Sequence, residues 1–401
     1  MKTINRIIPI AMGATLILIT ACSKEQKDLP AASFQCPNTV GVGDTIHFQN
    51  TSEGAVTFSW DFGDGNVSTE ENPSHIYTEP GVFTILLVAT NENGSDEISF
   101  GILIKSWSAK ASMPTPRSAL CTAVIDGKIY AIGGLKNEQA TLSVVEVYDP
   151  ATDPWDTKTP MPTARCAIDC AVVDGKIYVF GGTATAGSSI LSTVEVYDPA
   201  TDTWDTKTPL PTPRSDVAAE SLNGKIYIIG GSKRAGLYWE GLNTVEEYDP
   251  VTDSWTKKSN MPTRRWSLGT CVVDGQIYAI GGNYQYPYIV TAVEVYDPTT
   301  DTWSKKAPMP NARYSLATCF VNGKIFAFGG WLASGADNGD PIFDIVEAYD
   351  VSTDTWTSKP DMPSTIALLS AEVVDGKIYL IGGTSKQHTF NSLNTIYEFY
   401  P

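Results

Sequence analysis

The sequence predicts an all-β protein of two units, a small β-sandwich followed by a six-bladed β-propeller that its own first strand closes. Glycine and proline together make up 58 of the 401 residues, beside ten Trp and eighteen Tyr, a composition typical of turn-rich β proteins. Short alternating apolar runs separated by Gly, Pro and Asn turns fill residues 30–102. Six double glycines then recur at intervals of 48 to 53 residues, which indicates a repeated structural unit.

The charge balance restricts the possible partners. The chain carries 28 basic and 45 acidic side chains, a net charge of −17. Nucleic acid and anionic lipid surfaces are therefore disfavoured, because neither phosphate backbone would be attracted to the protein. Residues 30–106 hold ten acidic side chains and one basic one, which indicates that the first unit has a surface unlike the second.

Residues 1–21 are expected to be a lipoprotein signal peptide. Lys2 and Arg6 precede a 14-residue apolar run that is too short to span a bilayer comfortably. The tetrapeptide at 19–22, Ile-Thr-Ala-Cys, resembles a bacterial lipobox, in which Cys22 would become the lipidated first residue, followed by a linker over 22–29. The alternative is an ordinary signal peptide that ends near a cysteine. Ser23 is not the Asp that favours inner-membrane retention in some bacteria, so an outer-membrane anchor in the cell envelope is expected, with its orientation open.

The unit at 30–102 carries a specific motif. Residues 60–65 read Trp-Asp-Phe-Gly-Asp-Gly, followed by Asn-Pro-Ser-His-Ile-Tyr at 72–77. This pattern resembles the PKD-type domain, an immunoglobulin-like β-sandwich, and the resemblance implies a spacer or a weak adhesion module. Asp61 and Asp64 could be calcium ligands, but the favoured interpretation is that their side chains hydrogen-bond to the backbone of their own turn.

The propeller is expected over 103–401. Each double glycine follows an apolar strand and precedes a variable loop, a strand such as Val-Glu-Val-Tyr at 145–148, and a Trp. This pattern resembles the kelch repeat, whose unit is a four-stranded propeller blade. The sixth repeat ends at Pro401 without an outer strand, whereas Trp107 precedes the first double glycine. Residues 103–110 are therefore predicted to complete the last blade and remove its open edge.

Two periodic residue types have structural and functional interpretations. Five arginines and five acids share fixed repeat positions, and structural ion pairs are favoured over an anion-binding ring. The arginines are Arg117, Arg165, Arg214, Arg265 and Arg313, with Ile366 in the sixth blade; the acids are Glu146, Glu195, Glu246, Glu294 and Glu347.

The five propeller cysteines lie in apolar strands and are expected to be buried thiols. Cys166 and Cys170 lie four residues apart on one strand, too far to bridge.

Function is expected in the variable loops, since the repeats differ there. In kelch propellers these loops and the starts of the inner strands face the same ligand-binding side, so the resemblance implies that their side chains gather on one face. Aromatic faces near carboxylates and an arginine suit a glycan or a protein ligand. The alternative is that the aromatics pack on one another. The candidate residues are Trp239, Trp266, Tyr284, Tyr286, Tyr314, Trp331, Arg234 and Glu240.

The sequence favours a binding protein over an enzyme. His388 is the one histidine of the propeller region, so the two histidine ligands of a galactose oxidase type copper site cannot be assembled. Some bacterial kelch proteins are sialic acid mutarotases, and such a site would need an acid and a base beside a sugar. Glu240 with Arg234 could serve, as could the acids of the inner strands, Asp169, Asp216, Glu220 and Glu372, whose pKa values a water-poor channel would raise. We expect a monomer with no cofactor and no metal.

Overall fold

The structure is a computed structural model, which describes residues 28–137, 140–185, 189–235, 238–285, 288–332, 341–385 and 391–401. The chain divides after Ile104 into two compact units. All regular elements of the described residues are β-strands, which confirms the predicted fold class. Within the described part of the chain, no helix is long and apolar enough to cross a membrane. Cys22 lies outside the described residues.

The first unit is a β-sandwich. Its strands are β1 (Phe34–Gln35), β2 (Thr39–Gly41), β3 (Thr45–His47), β4 (Gln49–Asn50), β5 (Thr57–Asp61), β6 (Val67–Ser68), β7 (Ser74–Ile76), β8 (Gly81–Asn91) and β9 (Gly94–Lys105). One sheet has the order β2-β9-β8-β5-β6, and the pairs β3-β7 and β1-β4 lie outside it. Trp60, Ile85 and Leu87 are fully buried, since the alternating strands turn their apolar side chains inward.

The two aspartates of the sandwich motif stabilise their own turn. Asp61 Oδ1 accepts a hydrogen bond from the backbone N–H of Gly63 at 2.9 Å, and Asp64 Oδ1 accepts one from Asn66 at 3.0 Å. The second oxygen of Asp64 lies 2.7 Å from His75 Nε2. The turn interpretation is therefore confirmed.

The second unit is a ring of six four-stranded antiparallel sheets. Blade one consists of β11 (Cys121–Ile125), β12 (Lys128–Ile132), β15 (Val145–Tyr148) and β16 (Trp155–Lys158), and blade two of β17 (Asp169–Val173), β18 (Lys176–Phe180), β19 (Val194–Asp198) and β20 (Thr203–Thr206). Blade three consists of β21 (Ala218–Leu222), β22 (Lys225–Ile229), β25 (Val245–Asp249) and β26 (Ser254–Lys258), and blade four of β27 (Gly269–Val273), β28 (Gln276–Ile280), β31 (Val293–Asp297) and β32 (Thr302–Lys306). Blade five consists of β33 (Ala317–Val321), β34 (Lys324–Phe328), β35 (Val346–Asp350) and β36 (Thr355–Lys359). Variable loops add the hairpins β13 (Leu135–Lys136) with β14 (Ala140–Thr141), β23 (Ser232–Ala235) with β24 (Tyr238–Gly241), and β29 (Asn283–Gln285) with β30 (Tyr288–Ile289).

The sixth blade joins the two ends of the propeller. It consists of β37 (Ser370–Val374), β38 (Lys377–Ile381), β39 (Ile396–Phe399) and the early strand β10 (Trp107–Ala109), which pairs antiparallel with β39. The Trp107 ring lies 4.4 Å from the ring of Phe399, and its Nε1 donates to the Pro360 carbonyl at 3.4 Å. The Trp of every other blade makes the same inter-blade bond, for example Trp303 Nε1 to Ser259 O at 3.0 Å. The predicted closure is confirmed, but its strand is shorter than the expected 103–110, because Leu103 and Ile104 belong to β9 of the sandwich, where they pair with Val82 and Gly81.

The double glycines let neighbouring blades approach each other. Gly329 has a φ of 55°, and a Cβ added there would lie 2.1 Å from the carbonyl oxygen of Ile366 in the next blade. Any side chain at this position would push the two blades apart, which explains the repeat's demand for glycine.

The repeat arginines and acids form buried ion pairs. All five guanidinium groups are fully buried. Arg117 Nη2 donates to Glu146 Oε2 at 2.7 Å, and its Nη1 donates to the Val144 carbonyl at 2.9 Å. The equivalent pairs are Arg165–Glu195, Arg214–Glu246, Arg265–Glu294 and Arg313–Glu347. The structural interpretation of these arginines is therefore supported, because their guanidinium groups are buried in the ion pairs.

The sixth blade lacks both members of this ion pair. Ile366 replaces the arginine, and Tyr397 occupies the register position of the repeat acid. A buried acid without its arginine would be strongly destabilising, so the two replacements compensate each other.

Candidate functional site

A ring of six residues surrounds the propeller axis, one from the segment that lies two residues before each inner strand. All six have a φ between 50° and 54°, a left-handed conformation that non-glycine residues rarely adopt. The backbone N–H of each donates to the carbonyl of the equivalent residue in the preceding blade, at 2.8 to 3.2 Å, so the bonds form a closed circle. The members of this axial ring are Ala119, Ala167, Asp216, Ser267, Ser315 and Leu368.

The axial ring lies at the variable-loop face. Each of its members directly follows a residue that pairs with the start of a variable loop, as Trp266 pairs with Asn283 and Tyr314 with Trp331. The variable loops and the axial ring are therefore at the same end of the propeller. The sequence indicated this arrangement only through its resemblance to kelch propellers.

A cavity of about 510 Å³ runs along the axis and is lined by the inner strands of all six blades. This volume is within the usual range for small-molecule sites. Its polar side chains are hydroxyls, three cysteine thiols and four carboxyls, those of Asp169, Asp216, Glu220 and Glu372. Among the described residues that line it, none is Lys, Arg or His.

Burial in this axial cavity, called the channel below, keeps these carboxyls protonated to unusually high pH. Desolvation raises the pKa of Glu220 to about 8, and the nearby carboxylates of Asp169 and Glu372 raise it further. Desolvation likewise raises the pKa of Glu372 to about 7 and that of Asp169 to about 7. Near neutral pH the channel therefore offers carboxyl groups that can donate as well as accept hydrogen bonds.

Three of the channel acids also link neighbouring blades. Glu372 Oε1 accepts a hydrogen bond from Thr122 Oγ1 at 2.6 Å, and Asp169 Oδ2 accepts one from the backbone N–H of Ala219 at 2.8 Å. Thr270 donates to Glu220 across the next interface. Each acid combines a structural contact with a position on the cavity wall.

Asp216 is held within the axial ring by serines. Its Oδ2 accepts hydrogen bonds from Ser215 Oγ and Ser232 Oγ, both at 3.0 Å, and its Oδ1 accepts one from Ser267 Oγ at 3.3 Å. Burial raises the pKa of this carboxyl, while the three hydroxyls oppose the rise.

The loop hairpin of blade three carries Arg234 and Trp239. These residues are cross-strand partners in the β23–β24 hairpin, and the guanidinium carbon lies 5.0 Å from the centre of the indole ring, a cation–π contact. Glu240 follows Trp239 and therefore points to the opposite face of the hairpin, where it pairs with Arg264 at 2.9 Å and Lys233 at 3.5 Å. The structure thus does not bring Glu240 and Arg234 together as an acid and base.

Trp266 joins the loop hairpins of blades three and four. A Cβ added at Gly241 would lie 2.9 Å from the Trp266 ring and 3.0 Å from the Tyr284 carbonyl oxygen. The indole therefore packs against the backbone of the blade-three hairpin. Beyond this contact, the side chains of Tyr284 and Tyr288 are 40% and 65% exposed.

Tyr314 and Trp331 form an aromatic pair in blade five. Their backbones form a two-way bridge, and their ring centres are 5.5 Å apart. Trp331 is only 6% exposed, whereas Tyr314 is half-buried. Trp331 therefore lies beneath the surface of the variable-loop face. Tyr286, the remaining candidate, lies outside the described residues.

Among the described residues, no group of three or more His, Cys, Asp or Glu side chains is arranged to hold a metal ion. The axial ring was missed by the sequence reasoning, although its members share one repeat offset. Their side chains range from Ala and Ser to Asp and Leu, so the backbone conformation and not the residue type unites them.

Comparisons with known families agree with this architecture. A family model for the KLHDC2/KLHL20/DRC7 Kelch-repeats domain matches residues 156–330, and the Kelch motif matches 116–162 and 312–363. A PKD domain model matches residues 27–100. The chain therefore contains a PKD domain and kelch repeats, and its second unit is a kelch-repeat β-propeller.

Individual relatives resemble one unit or the other. Kelch-like protein terF of Aspergillus terreus is 30% identical over 171 residues, 41% of this chain and 27% of that protein. Collagenase ColQ1 of Bacillus cereus (strain Q1) is 31% identical over 100 residues, 23% of this chain and 10% of that protein. The matches thus span about a quarter or less of these relatives' own lengths. The solved structure of YjhT is similar with a TM-score of 0.63 at 17% identity, covering 72% of this chain and 95% of that chain, a likeness of fold alone.

Proposed function

We propose that this protein is an exported, lipid-anchored binding protein whose propeller recognises a glycan at the variable-loop face. The proposal is carried by two features at the same end of the propeller. One is the aromatic mouth, formed by Trp239, Trp266, Tyr284 and Tyr288, and the other is the axial cavity, whose lining holds carboxyls and hydroxyls but no Lys, Arg or His. The mouth aromatics are not among the residues that line the cavity. Tyr284 and Tyr288 are exposed, and an exposed aromatic ring is a group on which a sugar can stack. Hydroxyls and carboxyls whose pKa values are raised to about 7 or 8 suit a polyhydroxyl ligand better than an anion, since the cavity lining supplies no cation.

A protein ligand is the competing possibility, because Trp, Tyr and Arg also dominate protein interfaces. The size of the cavity favours the glycan: protein partners usually bury broad surfaces, whereas a volume of about 510 Å³ is in the range of small-ligand sites. An array of glycans and peptides probed with the mature protein distinguishes the two. Retention by peptides alone would contradict the glycan proposal.

The half-buried Trp239 and the exposed Tyr284 of the aromatic mouth are expected to carry the binding energy. Trp239→Ala and Tyr284→Ala should each weaken binding of the selected glycan about 5- to 150-fold, corresponding to about 1–3 kcal/mol, and leave the melting temperature nearly unchanged. Calorimetric titration and thermal melts measure the two effects. Trp303→Ala is the control: it removes a repeat Trp that bonds to Ser259, so stability should fall. Full affinity in both mouth variants would place the site elsewhere.

A second candidate function is sugar mutarotation by the channel acids, and their raised pKa values favour it. An acid with a pKa near 7 can both donate and accept a proton at neutral pH. Proton NMR of the same sugar titrations tests this: a mutarotase speeds exchange between the anomers, whereas a binding protein only broadens or shifts their lines. Exchange that Glu372→Gln abolishes would replace the binding proposal with the enzymatic one.

The lipid anchor at Cys22 gives a separate expectation. The multiple acyl chains of a bacterial lipoprotein hold a protein firmly in a membrane, because each buried CH₂ contributes about 0.8 kcal/mol. The wild-type protein should therefore partition into detergent, whereas exported Cys22→Ala should remain in the aqueous phase. A Cys22→Ala protein that is exported and still membrane-bound would contradict the anchor.

A further inference from the structure

Two cysteines face each other where blade one meets blade two. Cys121 stands four residues after Arg117, and Cys170 stands five residues after Arg165. Both belong to one apolar cluster between these blades, and they are 0% and 7% exposed. The structure has them as free thiols.

The repeat itself shows how close these two positions are. Gly269 and Thr318 occupy the same pair of positions at the junction of blades four and five, and a Cβ added at Gly269 would lie 3.1 Å from Thr318 Cβ. A disulfide needs its Cβ atoms about 3.5–4.5 Å apart. Inner strands that approach this closely therefore bring a cysteine pair within bridging reach with only a small adjustment.

The contacts of the thiols agree with this separation. Cys170 Sγ lies 3.1 Å from the carbonyl oxygen of Thr122, the neighbour of Cys121, and both thiols pack in the same apolar cluster. Cys271 and Cys319 differ in this respect. They share one repeat offset in adjacent blades, so their side chains point in the same direction around the ring and pack into different clusters.

We propose that Cys121 and Cys170 form a disulfide that joins blade one to blade two when the protein folds in an oxidising compartment. A thiolate of the pair attacks the disulfide of a small-molecule or protein oxidant and forms a mixed disulfide. The second cysteine then displaces the oxidant's sulfur. Two electrons and two protons pass to the oxidant, which leaves as two thiols.

The bond forms before the blades pack and then acts as a structural cross-link. Burial raises the pKa of the Cys170 thiol well above its usual range, so the attacking thiolate is suppressed once the interface has closed. The bridge spans residues 121 to 170, nearly one whole repeat. A closed loop of that length constrains the unfolded chain substantially.

Refolding of the full chain from the reduced, denatured state tests the proposal. One sample refolds with oxidised and reduced glutathione and the other with reduced glutathione alone; both are then alkylated under denaturing, non-reducing conditions and digested. The oxidised sample should yield a peptide pair linked through Cys121 and Cys170 and lighter by two hydrogen atoms, with Cys36, Cys166, Cys271 and Cys319 alkylated. Its melting temperature should be about 5 °C or more above that of the reduced sample.

Variants provide the matched controls. Cys170→Ser should abolish the difference between the two samples, whereas Cys319→Ser should retain it. Alkylation of both Cys121 and Cys170 in the oxidised wild-type sample, or a link between another pair, would overturn the proposal. The peptide map needs no variant, so a failure of Cys170→Ser to fold leaves the decisive measurement intact.

Discussion

Removal of residues 1–110 is expected to lower the melting temperature of the propeller by about 10 °C or more relative to removal of residues 1–104. The two variants differ by six residues, and both lack the sandwich. The shorter one loses β10, whose pairing with β39 completes the sixth blade. The Trp107 ring and its bond to Pro360 are lost with it, and loss of a packed aromatic of this size typically costs about 3–5 kcal/mol.

The same six residues satisfy polar groups at the end of the chain. The Ser106 carbonyl accepts the backbone N–H of Tyr400 at 3.0 Å, and Lys110 pairs with the buried carboxylate of Glu398. Their removal also leaves β39 as an open edge, which invites association between copies. Differential scanning calorimetry gives the melting temperatures and light scattering gives the association. Coincident melting curves for the two variants would show that β10 does not close the ring.

Sequence reasoning succeeded where the repeat imposes the same requirement on every blade. The Trp count placed Trp107 in the last blade because each blade needs one such ring, and the structure gives all of them the same inter-blade bond. The buried ion pairs were predictable for a similar reason, since Arg117 and Glu146 recur with one period and a buried charge requires a partner.

The candidate site was less predictable because its details depend on non-repeating contacts. The packing of Trp266 is set by Gly241, a residue of another blade's loop. Trp331 directly follows a double glycine and is buried, whereas Trp239 lies eight residues after one and is half-buried. The contact of Cys121 with Cys170 could have been found from the sequence by comparing repeat offsets across neighbouring blades.

The channel glutamates are expected to make the propeller less stable as the pH rises from 5 to 9. Glu220 and Glu372 ionise near pH 4.5 in the unfolded chain but have pKa values of about 8 and about 7 in the folded state, chiefly because burial disfavours their charged forms. Between these limits the folded state holds protons that the unfolded state has released. Stability is therefore greatest below about pH 4 with respect to these groups and is lost as the pH passes through 7 and 8.

Replacing the two glutamates by glutamine isolates this effect. Glutamine keeps the shape and the ability to accept a hydrogen bond from Thr122 or Thr270, but it cannot ionise. One pKa unit corresponds to about 1.4 kcal/mol, so even one unit at each position lowers the wild-type stability by about 3 kcal/mol, or about 5 °C in melting temperature. Glu220→Gln/Glu372→Gln should melt at least that much higher than the wild type at pH 9 and similarly to it at pH 4.

Two further variants show whether the channel is responsible. Asp156 is an exposed carboxylate whose pKa is lowered by its bond to Lys158, so Asp156→Asn should leave the alkaline loss of stability unchanged. Asp169 accepts backbone N–H bonds on both oxygens, from Cys170 and Ala219, and an amide cannot accept on its nitrogen. Asp169→Asn should therefore destabilise the propeller despite removing a charge. Melting curves of the double glutamine variant that run parallel to the wild type from pH 5 to pH 9 would show that these glutamates are already ionised in the folded channel, and that a ligand meets carboxylates there.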